Sequence, residues 1–374
     1  MDFDLYTLEY DDEGIPTKTS EMQKEKCNYI KCLRSRTVDW NLGDHIGFLS
    51  NLINKSSVKG QRSESIIPVY AAYSLAAFPI LGIDQSEKFP MVRSKMEQFL
   101  SHRMTESGQF SGFSEDNCNI ITNLQAITAL SICGDENAYK LIDRSKMYNF
   151  LMSLKQNDGS FSASLDSEID LRSTYAALAI ANILNIMTPE LTKDVLKFTK
   201  SCFNYDGGFS PTPFCESHGG FVHCGVGILY ILNALDEIDL NLVVRYIAMR
   251  QDEFAGGFNG RTNKLVDSCY SWWMGTAARI ISNHLKIPEF WNVDAMSQYI
   301  LRSSQIHSGG FCDSPPNDPD PLHTCYSMAG LCVVGSGERV KVVLPVLDLT
   351  IPAPKESVDR MKKYFSDQGV FVYK

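Results

Sequence analysis

Three side chains in the second half of the chain could bind a metal ion together. Asp267 and Cys269 are separated by one residue, and His323 follows them along the chain. Carboxylate, thiolate and imidazole groups are all ligands of Zn²⁺, and three protein ligands leave the fourth tetrahedral position to water or a substrate. An isolated cysteine is more often a small buried residue, so the spacing by itself leaves an ordinary core as the alternative.

Basic and aromatic residues lie close to these positions in the sequence. His218 and Arg172 precede them, and Arg261 and Lys264 stand in the loop directly before Asp267. Basic side chains there indicate an anionic ligand such as a phosphate group, although a solvated loop with local ion pairs gives the same pattern. The aromatic residues are Tyr175, Phe221, Tyr270, Trp272, Trp273 and Tyr326. Together these residues predict an apolar cavity with a charged mouth, suited to a hydrocarbon chain with a phosphate head.

A repeated turn indicates how distant residues come together. Its five copies end at Phe110, Phe161, Phe209, Phe258 and Phe311, each with a glycine two positions earlier. The intervals between the phenylalanines are 51, 48, 49 and 53 residues. A period this regular indicates one structural unit used repeatedly rather than several separate domains.

Each repeat contains two kinds of predicted helix. Before a turn, apolar residues recur at helical spacing, as in Leu240, Val243, Val244 and Ile247, which predicts an outer helix with one buried face. After a turn, segments such as residues 224–235 are apolar nearly all round, which predicts an inner helix covered on both sides. The sequence therefore predicts an all-α protein, and the covered inner helices favour a closed α–α barrel of about six hairpins over an open solenoid.

Closure would bring the candidate residues to one rim of the barrel. Asp170, His218, Asp267 and His323 each lie nine to twelve residues after a turn phenylalanine, where an inner helix begins. Residues 1–55 are charged and lack the turn, so they predict a peripheral N-terminal arm. Residues 56–374 predict a single barrel domain.

Composition excludes several functional classes. The chain has 374 residues, 44% hydrophobic and 21% charged, which is typical of a globular protein with a large core. Its net charge of −9 argues against nucleic-acid binding. Eleven cysteines without a Cys-x-x-Cys pair argue against a disulfide framework. The N-terminus lacks a signal-peptide pattern and the longest apolar run contains prolines and tyrosines, so we expect a cytoplasmic protein with no transmembrane segment.

Four segments resemble protein prenyltransferase β subunits. They are residues 256–273 (GGFNGRTNKLVDSCYSWW), 170–175 (DLRSTY), 216–220 (ESHGG) and 320–326 (DPLHTCY). The likeness extends over roughly residues 60–340, and the motifs are specific in combination. The family implies an α–α barrel that pairs with a helical-repeat α subunit. It also implies transfer of an isoprenyl group to a cysteine near the C-terminus of target proteins that end in a CaaX motif, such as small GTPases.

The resemblance also implies roles for individual residues. One zinc ion would be held by Asp267, Cys269 and His323, so that the substrate cysteine reacts as a thiolate. The lipid diphosphate would be bound by His218, Arg261, Lys264 and Tyr270. The isoprenoid pocket would be lined by Ile66, Tyr70, Arg172, Tyr175, Cys224, Trp273 and Tyr326. Water would link the peptide C-terminus to Glu168 and Arg172.

Within the family, some residues resemble the enzyme that uses farnesyl diphosphate. Asp313 matches an acid associated there with Mg²⁺, and Tyr326 stands where type I geranylgeranyl enzymes carry phenylalanine. Ile66 and Leu124 stand where the farnesyl enzyme has aromatic residues, and Leu322 is more like type I. The two smaller side chains would enlarge the pocket, which keeps a geranylgeranyl or dual-lipid enzyme as the alternative.

Other classes fit the residues less well. Terpene cyclases use similar barrels but need an acidic Asp-x-Asp-Asp or Asp-Asp-x-x-Asp segment, which the sequence lacks. In an α/α-barrel glycosidase, Asp267 and Asp313 could serve as paired carboxylates, but Cys269 and His323 would then be unexplained. A non-catalytic helical scaffold would bind neither zinc nor an isoprenyl diphosphate.

Overall fold

The computed structural model describes residues 16–33, 40–56, 67–82, 89–112, 118–335 and 343–373. These residues are mostly helical. From the N-terminus the helices are α1 (Lys18–Leu33), α2 (Leu42–Ser56), α3 (Ile67–Ile80), α4 (Phe89–Ser101), α5 (Ile120–Cys133), α6 (Glu136–Lys140), α7 (Arg144–Leu154), α8 (Leu171–Ile183), α9 (Pro189–Thr192), α10 (Val195–Ser201), α11 (Gly219–Ile231), α12 (Leu240–Ala248), α13 (Tyr270–Leu285), α14 (Val293–Gln298), α15 (Pro321–Val334) and α16 (Lys355–Asp367). A 3₁₀ turn (Leu235–Glu237) precedes α12, and a π-helical turn (Tyr299–Ser304) follows α14. Strands β1 (Phe161–Ser162) and β2 (Ile169–Asp170) pair antiparallel before α8.

Six inner helices form a closed ring. Helix α3 packs on α5, α5 on α8, α8 on α11, α11 on α13, α13 on α15, and α15 returns to pack on α3. Nearly all side chains of α5 and α8 are buried, because neighbours cover them on both sides. The predicted α–α barrel of about six hairpins is confirmed.

Six outer helices precede the inner ones in hairpins and cover them from outside. These helices are α2, α4, α7, α10, α12 and α14. In α7 the buried side chains include Met147, Phe150, Leu151 and Leu154, at the helical spacing that an amphipathic outer helix requires. The outer layer therefore presents one apolar stripe inward and one polar face to solvent.

The repeated glycines allow each turn to touch the next outer helix. A Cβ atom on Gly207 would lie 2.0 Å from the Leu242 carbonyl oxygen of α12, and one on Gly309 would lie 2.2 Å from the Asp44 carbonyl oxygen of α2. Both glycines also have positive φ angles, +90° and +97°. The turn phenylalanines two residues later are all fully buried. These glycine turns thus pack directly against the outer helix of a neighbouring hairpin.

Helix α2 is the outer helix of the first hairpin, although it ends at Ser56, the residue at which the predicted barrel domain begins. The Nδ1 atom of His45 in α2 accepts a hydrogen bond from the Gly310 amide at 3.0 Å, and its ring stacks on Phe311 with centroids 5.0 Å apart. Helix α2 therefore closes the ring beside the last turn. No glycine turn precedes α2, so the repeat in the sequence does not include it. Farther out, α1 lies on the rim, where Lys26 donates to the Ser314 hydroxyl at 2.9 Å.

We expect Gly207→Ala to lower the free energy of unfolding by more than about 3 kcal/mol, because backbone strain and a clash with the Leu242 carbonyl act together. Gly134→Ala is the matched control. Its φ of +77° is also positive, but an added Cβ would meet nothing closer than 3.3 Å, the distance to both the Arg360 guanidinium and the Ile132 carbonyl oxygen. The control isolates the conformational cost of about 1–2 kcal/mol. Equal losses in denaturant titrations of the two variants would contradict the role of the close approach.

Candidate active site

The three predicted metal ligands meet at the starts of two neighbouring inner helices. Cys269 is the N-cap of α13, and His323 lies in the first turn of α15. One ligand atom from each of Asp267, Cys269 and His323 lies within 4.8 Å of the others. The three residues come from loops after two successive glycine turns, so the barrel register brings them together. The predicted cluster therefore exists in the folded chain.

The geometry of the cluster fits a zinc ion. Two ligand atoms about 2.1 Å from one ion at the tetrahedral angle lie about 3.4 Å apart. The His323 Nε2 and Asp267 Oδ1 atoms are 3.3 Å apart. Cys269 is 8% exposed, and its thiol completes a mixed donor set that suits zinc. Three protein ligands would leave one coordination position for a substrate atom.

Asp320 orients His323 toward the cluster, and sequence reasoning did not identify it. Its Oδ2 atom lies 2.5 Å from the His323 Nδ1 atom, and its Oδ1 atom accepts the His323 backbone N–H at 2.9 Å. The Nε2 atom is thereby left to face Asp267. Carboxylates that hold the remote nitrogen of a metal-binding histidine are a general feature of metal sites. The signal was present as an N-cap aspartate followed by proline at the first helical position.

The pKa values of two of the predicted ligands, His323 and Cys269, are raised, so both side chains hold a proton at neutral pH. Burial disfavours the charged form of His323, but hydrogen bonds to Asp267 and Asp320 outweigh it and raise the pKa of His323 to about 10. Burial, and then the nearby Asp267 carboxylate, raise the pKa of the Cys269 thiol well above its ordinary value. Zinc ligands must be deprotonated, so metal binding at this site releases protons.

We expect Asp320→Asn to weaken zinc binding about 10- to 100-fold, because the asparagine keeps the shape but loses the charge that holds His323. Competition with a chromophoric chelator measures the dissociation constant. The control is Asp239→Asn, an N-cap aspartate of α12 that accepts only a backbone N–H, from Asn241 at 3.0 Å. An unchanged zinc affinity in Asp320→Asn would remove the orienting role.

His218 and Tyr270, two predicted anion-binding residues, are in contact. The His218 Nδ1 atom accepts the Gly220 amide at 3.1 Å, and its Nε2 atom lies 2.9 Å from the Tyr270 hydroxyl oxygen. Burial and then the Arg261 guanidinium lower the pKa of His218. The imidazole is therefore neutral, carries its proton on Nε2 and donates it to Tyr270. Burial raises the pKa of Tyr270, so its own hydroxyl proton remains available to a ligand.

Two cations belong to the predicted anion-binding set, and Arg261 acts electrostatically on both His218 and Tyr270. The Arg261 guanidinium lies 2.7 Å from the Glu216 carboxylate, and both groups are well exposed. Lys264 is exposed, and no ion pair to it occurs in the part of the chain that the structure describes. An exposed ion pair contributes little to stability, so Arg261 can exchange its partner for an anionic ligand at small cost.

Asp313 lies against the metal-ligand loop. Its backbone carbonyl accepts the Ser268 amide at 2.8 Å and the Tyr299 hydroxyl at 3.1 Å. Its carboxylate accepts two hydrogen bonds from the Asn317 side-chain amide, at 2.9 and 3.0 Å. The carboxylate therefore stands beside the cluster with its orientation fixed.

The predicted pocket residues form two groups inside the ring. In the first, Tyr175 and Cys224 are buried on α8 and α11, close to Arg172. In the second, Trp273 contacts Tyr326 with ring centroids 4.3 Å apart.

At the rim, the Arg172 guanidinium lies 2.9 Å from Asp170 and 3.4 Å from Glu168. Arg172 thus contacts Glu168, the other residue assigned to the peptide C-terminus, and that assignment stays a prediction. Ile66 lies outside the described residues. Tyr70 is in α3, and the structure does not describe its side chain.

Comparison with known proteins agrees with this arrangement. Residues 41–349 match the family Prenyltransferase alpha-alpha toroid domain. The chain belongs to this family. The chain is also 30% identical to Protein farnesyltransferase subunit beta of Schizosaccharomyces pombe, across 94% of this chain and 98% of the relative. It is a prenyltransferase β subunit, as its motifs predicted.

Relatives of this prenyltransferase β subunit are named for more than one lipid. Geranylgeranyl transferase type-2 subunit beta of Saccharomyces cerevisiae is 31% identical, across 69% of this chain and 77% of the relative. The solved structure of Candida albicans protein geranylgeranyltransferase-I complexed with GGPP superimposes with a TM-score of 0.76 at 24% identity, covering 87% of this chain and 99% of that one. That superposition establishes the toroid fold of the β subunit.

Two further observations concern the helices and the cysteines of this prenyltransferase β subunit. Among the described residues, no helix is both long and apolar enough to span a membrane. All eleven cysteines are free thiols.

Proposed function

We propose that this chain is the β subunit of a protein farnesyltransferase, which transfers a farnesyl group from farnesyl diphosphate to the cysteine thiol of a C-terminal CaaX motif. The observation that carries the proposal is the position of the Asp267, Cys269 and His323 cluster. It lies at the same rim of the barrel as the His218–Tyr270 pair, with Arg261 close to His218. A site for a thiol and a site for a diphosphate are thus adjacent, as thioether formation requires.

In the proposed reaction, the metal cluster acts on the substrate thiol and the anion-binding residues act on the diphosphate. Bound zinc supplies the Lewis acidity that lowers the pKa of a substrate thiol. The thiol proton leaves to solvent, a carbon–sulfur bond forms at C1 of the lipid, and the bond from C1 to the diphosphate oxygen breaks. Arg261 and Lys264 neutralise charge on the departing diphosphate, and Tyr270, oriented by His218, donates a hydrogen bond to it.

The lipid and peptide would occupy the remaining predicted positions. The chain of the lipid would lie among Tyr175, Cys224, Trp273 and Tyr326, whose buried or half-buried side chains offer an apolar wall. The Arg172–Glu168 pair would hold the peptide C-terminus through water at the rim. We assign Ile66 and Tyr70 to the same pocket by their place in the sequence.

Two features support farnesyl as the lipid. Asp313 presents a fixed carboxylate where a Mg²⁺ ion could accompany the diphosphate. Tyr326 stands where type I geranylgeranyl enzymes carry phenylalanine, and its hydroxyl donates to the Tyr73 hydroxyl at 3.2 Å. The alternative is a geranylgeranyl type I or dual-lipid enzyme, which the smaller Leu124 and Ile66 favour.

The enzyme would need a second chain. The relatives named above are themselves called β subunits, and we propose that an α subunit completes the diphosphate site. Eleven free thiols favour a reducing compartment, which supports a cytoplasmic location.

The test is a transfer assay on the heterodimer. The chain is co-expressed with candidate α subunits, supplied with equal farnesyl and geranylgeranyl diphosphate and peptides ending in Cys-a-a-X, and the products are weighed by mass spectrometry. Mainly farnesylated peptide supports the proposal, whereas mainly geranylgeranylated peptide supports the alternative. A complex that binds neither zinc nor lipid diphosphate would identify a non-catalytic scaffold.

A further inference from the structure

His223 is a buried histidine that belongs neither to the metal cluster nor to the predicted anion-binding residues, His218, Arg261, Lys264 and Tyr270. It lies on inner helix α11 and is 1% exposed. Its Nδ1 atom lies 2.6 Å from the Thr276 hydroxyl of α13, and its Nε2 atom lies 3.2 Å from the Tyr175 hydroxyl of α8. One side chain thus joins three consecutive inner helices. Burying an imidazole costs free energy unless it is hydrogen-bonded, and His223 has a partner at each ring nitrogen, so the network is satisfied and holds its members rigidly.

The proton positions in this network follow from its end points. Burial lowers the pKa of His223 to about 3, so the ring is neutral and has one N–H. The Tyr175 hydroxyl donates to the Thr350 carbonyl, so its oxygen must accept from His223 Nε2–H. Nδ1 then accepts from the Thr276 hydroxyl, whose oxygen also lies 2.8 Å from the Trp272 carbonyl oxygen of its own helix. Donation therefore runs in one direction, from Thr276 through His223 and Tyr175 to Thr350.

His223 also joins the two groups of predicted pocket residues. Its ring centroid lies 5.0 Å from that of Tyr175 and 5.0 Å from that of Trp273. One helical turn further along α11, a Cβ atom on Gly227 would lie 2.5 Å from the Tyr175 ring, so the ring rests against bare backbone. Tyr175 is therefore held by its hydroxyl and by its face, and Trp273 by its edge contact with His223.

We infer that His223 is a positioning residue that fixes Tyr175 and Trp273 and thereby determines which isoprenoid chain length the enzyme accepts. The inference rests on the proposed function. A wall held by directed hydrogen bonds cannot move aside for an additional five-carbon unit, whereas an untethered ring can rotate away. Every CH₂ group that the pocket buries adds to binding, so small movements of the wall alter the preference between lipids.

The experiment measures dissociation constants of the heterodimer for farnesyl and geranylgeranyl diphosphate. His223→Phe retains a ring but loses both hydrogen bonds, and we expect the ratio of the two constants to change about tenfold toward the longer lipid. His223→Gln retains a donor and an acceptor and should restore much of the wild-type ratio. If His223 acts through Tyr175, adding Tyr175→Phe to His223→Phe should cause little further change in the ratio.

Substitutions at Thr276 provide a test that leaves His223 in place. Thr276→Val removes the donor to Nδ1, and Thr276→Ser keeps it. Thr199→Val is the matched control, because the Thr199 hydroxyl is buried and donates to its own helix carbonyl, that of Val195, at 2.9 Å. We expect a changed lipid ratio in Thr276→Val alone. An unchanged ratio in both His223→Phe and Thr276→Val would overturn the inference while leaving the proposed function intact, whereas a wild-type heterodimer that binds neither lipid would overturn both.

Discussion

Replacing His323 with alanine should empty the metal centre while leaving the lipid site in place. We expect zinc content to fall from about one ion per β subunit to a small fraction of that, and peptide transfer to fall by more than about 100-fold, since loss of an outer-sphere partner alone costs 10- to 100-fold. The variant also leaves Asp320 without the imidazole that it orients. Affinity for the lipid diphosphate should be retained, because the His218 and Tyr270 side chains bond to each other, and His218 accepts the Gly220 amide.

The measurements are metal analysis, peptide transfer and lipid binding on the same preparation. Cys269→Ser should behave in the same way, since a serine hydroxyl is a poor substitute for a thiolate on zinc. Cys325→Ser is the matched control, because Cys325 is a buried cysteine too but is not a member of the cluster. Loss of lipid affinity together with zinc in His323→Ala would show that the two sites are not separable.

Gly260→Ala should weaken diphosphate binding by displacing Tyr270, while the metal ligands stay in place. A Cβ atom on Gly260 would lie 2.0 Å from the Tyr270 hydroxyl oxygen and 2.3 Å from Cζ of the same ring. The Gly260 backbone is held in place by its carbonyl, which accepts the Gly219 amide at 2.7 Å. The tyrosine must therefore move, and its contact with His218 breaks. A hydrogen bond to a charged group is worth about 1.5–3 kcal/mol, so we expect diphosphate affinity to fall about 10- to 100-fold.

Gly275→Ala serves as the control for this substitution. Gly275 lies on α13 with Tyr270, and its added Cβ would meet nothing closer than the Val333 side chain at 3.4 Å. We expect wild-type lipid affinity from the control and full zinc content from both variants. If Gly260→Ala binds the lipid diphosphate as tightly as the wild type, Tyr270 is not part of that site.

The sequence by itself predicted the barrel and grouped the three candidate metal ligands. The glycine–phenylalanine period and the two kinds of helical stripe are local patterns, and they repeat often enough to predict a closed ring. Equivalent positions in a ring lie at one rim, which is why Asp267, Cys269 and His323 could be grouped although more than fifty residues separate the first from the last. The motifs around them then predicted the family.

Only the tertiary structure decided how these residues are oriented and what else supports them. The place of α2 as an outer helix, the bond from Asp320 to His323 and the bridge from His223 to Tyr175 were not predicted. Each depends on how neighbouring helices are rotated and spaced about their own axes, and on which side chains then reach across. Those quantities result from packing over the whole ring, so the periodicity of a single segment does not contain them.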